Sequence, residues 1–147
     1  MKAVIQRVKS ASVTVDGQEV ACIGAGLLVL VGIGKGDREN DLNWIVEKMI
    51  NLRIFEKEEG RLDYSLLDIQ GDLLLVSQFT LFGDCRKGRR PSFSEAMGSD
   101  EARIMFGQFV EAAKKRIANV QTGVFQASME VALVNDGPVT IILDSKV

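Results

Sequence analysis

The sequence predicts an α+β fold: a single domain over residues 1–147, with a mostly antiparallel sheet curled towards a barrel and two main helices. Three observations carry this. Strand-length apolar or alternating runs occupy both ends and the middle of the chain. Two longer segments, one from about Arg38 to Asn51 and one after Ser99, place apolar residues at helical spacing. Several turn signals are too short to hold a crossover, so neighbouring strands pair directly.

Taken in order, Val4–Val8 reads as a first strand and Ala11, Val13 and Val15 as a second with one wet face. Asp16-Gly17 is a strong two-residue hairpin signal, returning the chain as Gln18–Ile23. After Gly24-Ala25-Gly26, the run Leu27–Ile33 is apolar throughout and reads as a buried strand; Gly34–Asp37 is loop. Asp37 is positioned to cap a helix from about Arg38 to Asn51, whose buried face is Leu42, Ile45, Val46, Met49 and Ile50. Arg53-Ile54-Phe55 reads as a short strand and Glu56–Gly60 as a charged turn; Leu62–Gly71 fits no single class.

Leu73–Val76 is the central buried strand. Gly83–Met97 is a long irregular loop, and loops of that length in a small domain are usually functional or disordered. The second helix carries Asp100 and Glu101 in its first turn and buries Phe106, Phe109, Val110, Ala113 and Ile117. Lys114, Lys115 and Arg116 suit its C-terminal dipole. Met129, Val131 and Leu133 alternate within Val124–Val134, Asn135-Asp136-Gly137-Pro138 breaks the chain, and Val139–Leu143 is a last strand before the tail.

Composition narrows the chemistry. The 147 residues include no histidine and only two cysteines, Cys22 and Cys85, far apart and without metal-ligand spacing. Ser-His-Asp and Cys-His catalysis and most zinc sites are therefore absent, and no metal or cofactor is expected. A net charge of −2 gives no global attraction for nucleic acid, although Arg86, Lys87, Arg89 and Arg90 form a local cluster. No apolar run approaches a membrane span, and the first residues lack a signal-peptide pattern, so the expected compartment is the cytoplasm.

The central strand ends in Ser77, Gln78, Phe79 and Thr80, with no turn residue before Gly83. A polar strand end at the rim of a core can present backbone N–H groups to a developing oxyanion. Its hydroxyls can equally serve to satisfy nearby backbone groups.

Three stretches in this order, Ser77-Gln78-Phe79-Thr80-Leu81, Lys87–Phe93 and Asn135-Asp136-Gly137-Pro138-Val139-Thr140, resemble the D-aminoacyl-tRNA deacylases, also called D-tyrosyl-tRNA deacylases. Their SQFT and NxGPVT signatures are both present, and Ala3–Val8 with the Ser12–Gly17 hairpin is also similar to that family; the likeness covers Met1–Leu143. It implies a homodimeric hydrolase acting on tRNA that carries a D-amino acid or glycine. It also implies active sites at the subunit interface, each combining SQFT of one chain with a cis Gly137-Pro138 of the other. The carbonyls of that pair would close off the space an L side chain needs.

By the same resemblance Ser77, Gln78, Phe79 and Thr80 are catalytic, Arg7 braces the Gly137-Pro138 loop, Phe125 and Met129 line the pocket of the terminal adenosine, and Arg86, Lys87, Arg89 and Arg90 meet phosphate. Arg7 also reads as an ordinary surface charge, Phe125 and Met129 as core packing, and the basic loop as a solvated segment. Thr80 is either a nucleophile or a positioning group, and a nucleophilic hydroxyl needs an adjacent base that no spacing nominates. The positioning role is preferred, with a tRNA ribose hydroxyl assisting a water. A non-catalytic tRNA-binding module would keep the basic loop but needs no polar strand end; a generic esterase is disfavoured by the missing histidine.

Overall fold

A computed structural model describes residues 1–147. In chain order the elements are β1 (Lys2–Val15), β2 (Gln18–Ile23), β3 (Gly26–Gly32), α1 (Glu39–Asn51), β4 (Phe55–Glu58), β5 (Arg61–Tyr64), α2 (Leu66–Ile69), β6 (Asp72–Ser77), a 3-10 helix (Phe79–Phe82), α3 (Ser99–Lys114), β7 (Val120–Thr122) and β8 (Glu130–Asp144). Asp16 and Gly17 both take positive φ, the geometry of a tight two-residue hairpin, and β2 follows as the sequence predicts.

The main sheet runs β2-β1-β3-β6-β7, with β8 on the other edge of β1. Strand β1 is antiparallel to β2, β3 and β8. The pairs β3–β6 and β6–β7 are parallel, so the sheet is mixed. Each parallel pair is joined by a long connection that contains a main helix, as parallel strands require.

Two cores result, one on each side of the sheet. Leu27, Val29 and Val31 of β3, with Leu73 and Leu75 of β6, face α1 and α3. Leu28, Leu74 and Val76, the alternate residues, face a smaller cluster inside the curl with Val8, Ala11, Val13, Ala21 and Ile23. These two strands are apolar at nearly every position because both of their faces are buried.

Strand β1 changes sides part-way. Ala3 and Ile5 belong to the helix-side core, whereas Val8, Ala11 and Val13 belong to the inner one. Strand β8 changes in step: Val131 and Leu133 pack inward, and Val139, Ile141 and Leu143 pack towards the helices. The changeover is a bulge. Gln6 pairs with Thr140 and Val8 with Asn135, so Arg7 alone stands opposite Asp136, Gly137, Pro138 and Val139. The two strands expected within Lys2–Val15 are therefore one, and the break expected at Asn135–Pro138 is a bulge within a single strand.

Other departures are local. Strands β4 and β5 form a separate hairpin where a short strand and a charged turn were expected. Ser65 and Asp68 cap the single turn α2 reciprocally. Asp37 does not cap α1. Its buried carboxylate accepts from the Met1 amino group at 2.7 Å and from the Gly34 N–H at 2.7 Å, and Arg38 takes the capping position. Burial would raise the Asp41 carboxyl, but hydrogen bonds from the Arg38 N–H, the Ser145 hydroxyl and Lys146 outweigh it and hold the group at about 2.

Candidate functional site

The polar stretch after β6 is shorter as a strand than expected. Ser77 is its last residue, and the Gln78 N–H donates to the Val31 carbonyl at 2.8 Å, completing the parallel ladder. The chain then tightens into the 3-10 turn Phe79–Phe82. Of the backbone N–H groups at this polar strand end, that of Gln78 is thus already engaged. Those of Phe79 and Thr80 open the turn, where a helix has no internal acceptor for them.

The Gln78 side-chain amide donates to Thr80 Oγ1. An amide N–H removes no proton, so this contact orients the hydroxyl without activating it as a nucleophile. Thr80 keeps its own O–H free to donate.

Beside this turn lies a cleft of about 710 Å³. Ser77, Gln78 and Phe79 form one side, Phe93 and Met97 a second, and Phe125 and Met129 a third. Phe79 is 56% exposed, a large apolar ring left open to solvent, and meets Phe93 edge-on with ring centroids 5.0 Å apart. Phe125 and Met129 pack partly on the cores and also line the cleft.

The second motif is the β8 bulge. Arg7 is buried, not a surface charge. Its Nε donates to the Asp136 carbonyl at 2.8 Å and its Nη1 to the Ile54 carbonyl at 2.6 Å. Asn135, which sequence reasoning did not single out, clips the bulge across its neck: its Oδ1 accepts from the Val139 N–H at 2.8 Å, and its Nδ2 donates to the Val139 carbonyl at 3.1 Å. The signal for it was the first letter of the NxGPVT motif. Gly137 sits at φ +141, where L side chains are strained, and an added Cβ would lie 2.9 Å from Val139 and 3.1 Å from Arg7 Nη2. The Gly137–Pro138 peptide is cis, as the resemblance implies.

A single chain does not bring the two motifs together. Neither Arg7, Gly137, Pro138 nor Thr80 lines the cleft. Arg7 is level with Leu27 and Leu73, Ser77 with Val31 and Ala3, and β8 and β6 are separated by β1 and β3. At strand spacings of about 4.8 Å and a rise of about 3.3 Å per residue, the motifs lie roughly 20 Å apart over the sheet.

The basic loop divides in two. Arg86 forms a two-pronged pair with Asp84 at 2.9 and 2.7 Å; the guanidinium's hydrogen bonds hold that carboxyl at about 2. Asp84 also bridges to Ser92, closing the loop at its base. Arg86 therefore shapes the loop, while Lys87, Arg89 and Arg90 stand exposed and in no ion pair. Cys22 and Cys85 are exposed free thiols. No group of three or more Cys, Asp or Glu side chains converges as a metal site. No helix is long and apolar enough to cross a membrane.

Comparison with known proteins places these motifs. A family model described as D-Tyr-tRNA(Tyr) deacylase matches residues 4–144. The chain is 60% identical over 146 residues to a D-aminoacyl-tRNA deacylase of Clostridium botulinum, covering 99% of this chain and 98% of that one. It is 58% identical, with the same coverage, to a D-aminoacyl-tRNA deacylase of Thermosipho africanus. A solved structure described as c-Myc DNA Unwinding Element Binding Protein superposes with a TM-score of 0.93 at 44% identity over 98% of each chain. A probable eukaryotic D-amino acid tRNA deacylase, 17% identical, shares the fold with a TM-score of 0.84 over 97% of each chain.

Arg7→Met would keep the length of the side chain and remove both bonds to the Asp136 and Ile54 carbonyls. Stability is expected to fall by about 3 kcal/mol in urea denaturation. The Val139 amide should lose exchange protection selectively. A change within about 0.5 kcal/mol, the range of ordinary surface substitutions, would return Arg7 to a surface role.

Proposed function

This chain belongs to the D-Tyr-tRNA(Tyr) deacylase family, and from that membership we propose that it hydrolyses the ester of D-aminoacyl-tRNA, and of glycine mischarged on tRNA, to release the amino acid and free tRNA. The observation that carries this reading is the turn that follows β6, where Gln78 holds the Thr80 hydroxyl beside two N–H donors, next to an aromatic-lined cleft that Gln78 and Phe79 themselves line.

An aminoacyl ester is already activated, so positioning and oxyanion stabilisation supply much of the acceleration. Water adds to the ester carbonyl, assisted by the substrate's own ribose hydroxyl. The N–H groups of Phe79 and Thr80 meet the oxyanion, and the Thr80 hydroxyl fixes the substrate. The apolar rings receive the terminal adenosine. No metal or cofactor takes part, and the setting is the cytoplasm. Lys87, Arg89 and Arg90 meet phosphate, which positions tRNA without reading its sequence.

The site is completed by a second copy. Strand β8 pairs on one edge only, and its outward Val134 and Ile142 are 52% and 74% exposed on either side of the bulge. A long, unpaired, apolar edge is stable in solution when covered. In the homodimer the partner's Gly137-Pro138 backbone enters the cleft and excludes an L side chain by its carbonyls.

Incubation with D-Tyr-tRNA and L-Tyr-tRNA should release D-tyrosine alone, with undiminished rate after exhaustive chelation. Cleavage of neither ester, with tRNA still bound, would leave a binding module; zinc-restored activity would refute the metal-free mechanism.

Replacing Lys87 and Arg89 by Ala should weaken tRNA binding and flatten its salt dependence by about one unit of slope per contact. Chiral preference should not change. An unaltered slope would make the loop a solvated segment.

Mixed dimers address sharing. One chain carries Gly137→Ala and the other Gln78→Ala with Thr80→Ala. Shared sites leave one intact site in each such dimer, so about half the wild-type activity remains. If every chain holds its own complete site, both are damaged and activity is largely lost.

A further inference from the structure

The third side of the cleft is weakly anchored by its own backbone. Between β7 and β8, residues 123–129 join no strand. The Gly123 N–H reaches the Leu75 carbonyl at 3.1 Å and the Ala127 N–H closes a turn on Val124 at 3.1 Å. Within that turn Gln126 holds φ +65, an uncommon conformation for a residue other than glycine. Phe125, Gln126 and Ala127 nevertheless line the cleft in a defined arrangement.

What holds them is on α3. Arg103 Nη2 donates to Gln126 Oε1 at 2.7 Å, and the Arg103 guanidinium lies 4.8 Å from the centre of the Phe125 ring. The ring also packs on the helix-side core, with Phe106 at 6.1 Å between centroids. Arg103 follows Ala102, itself a lining residue, so the helix that closes one side of the cleft also grips the next. A planar guanidinium can do both at once, stacking with its face and donating with its edge.

We propose that Arg103 is a positioning residue of the cleft, clamping Phe125 by its ring and Gln126 by its amide so that the wall formed by residues 124–128 is set before the aminoacyl-adenosine end of the substrate arrives. The clamp itself stands on geometry; its consequence for turnover rests on the deacylase reading above. A pre-set wall spares the substrate the cost of ordering it, so the clamp acts on substrate binding and leaves the chemical step at Gln78–Thr80 alone.

Arg103→Met keeps the length and helix propensity of the side chain while removing both contacts. Arg103→Lys keeps a cation near the ring but has no planar fork to hold the amide as well. The first measurement is amide hydrogen exchange in the free protein, which needs no substrate. In Arg103→Met, exchange over residues 124–128 should quicken at the Ala127 amide, whose bond to the Val124 carbonyl closes the turn, by about five-fold, with α1, α3 and β6 unchanged. The second is steady-state deacylation of D-Tyr-tRNA. KM should rise about five-fold with kcat within about two-fold of wild type, the Lys variant falling between. The salt dependence of KM should stay as in wild type.

Unchanged exchange over 124–128 would overturn the clamp whatever the kinetics. Faster exchange with an unchanged KM would overturn its role in substrate positioning. A raised KM with a flatter salt dependence would make Arg103 a phosphate contact instead, since losing such a contact lowers the slope by about one unit. If the wild-type protein cleaves no aminoacyl-tRNA, the deacylase reading fails with its positioning consequence, and the exchange experiment still decides the clamp.

Discussion

The buried guanidinium of Arg7 is the constraint on which the rest of the architecture turns. A buried cation has to find acceptors, and this one finds two carbonyls, those of Asp136 and Ile54. The Asp136 carbonyl faces it only because four residues of β8 are gathered opposite one of β1. That excess of residues is also what lets both strands exchange one core for the other. Lys2–Val15 can thus serve the helix-side core with Ala3 and Ile5 and the inner core with Ala11 and Val13 without leaving the sheet. Asn135 closes the neck of the bulge, and the first letter of its motif has this mechanical meaning. The bulge also explains how proline enters a long strand: Pro138 lies where the ladder is interrupted and no N–H is asked for.

Legibility followed the range of the interactions concerned. The faces of α1 and α3, the Asp16-Gly17 hairpin and the doubly buried strands β3 and β6 rest on local pattern, and all are where the sequence places them. The misread places are those where a distant group overrides a local signal. Asp37 has the position of a helix cap, but the Met1 amino group, 36 residues away, takes its carboxylate. Asn135-Asp136-Gly137-Pro138 has the chemistry of a chain break, yet Arg7 and the β1 ladder hold it inside one strand. Strand β7 is three residues long and carries too little pattern to be seen; it exists because β6 offers it an edge.

The same distinction applies to the candidate site. Ser77, Gln78, Phe79, Phe125 and Met129 line one cleft, although the connection from Phe79 to Phe125 passes through all of α3. What the motif could not reveal is the division of labour within it. The Gln78 N–H completes the ladder while its side chain holds the Thr80 hydroxyl, so the residue works as structure with one group and as part of the site with another. Arg86 is a similar case. It sits among cations and reads as one more phosphate contact, but Asp84, two residues before it, converts it into the closure of the loop. Arg103 gave no sequence signal, because a charged residue on the outer side of a helix is the commonest thing a helix carries.

In the proposed reaction a chain without histidine works by placement, and the groups assigned to it are placed by backbone. Its candidate oxyanion donors are backbone groups at the start of a 3-10 turn, whose position is fixed by a strand buried on both faces. The proposed chiral filter is backbone as well, in a bulge pinned by a buried arginine. Backbone N–H and carbonyl groups carry no ionisable proton near neutral pH, so in this proposal discrimination between mirror-image substrates would rest on where they stand. Steric exclusion by backbone demands rigidity in both pieces, and roughly 20 Å of sheet separates them within one chain. The bulge is held by the β1 ladder and the turn by the β3 ladder, so closing that distance within one chain would strain the sheet between them. In the proposed shared site, the same bulge from a second copy would leave each piece on its own rigid support.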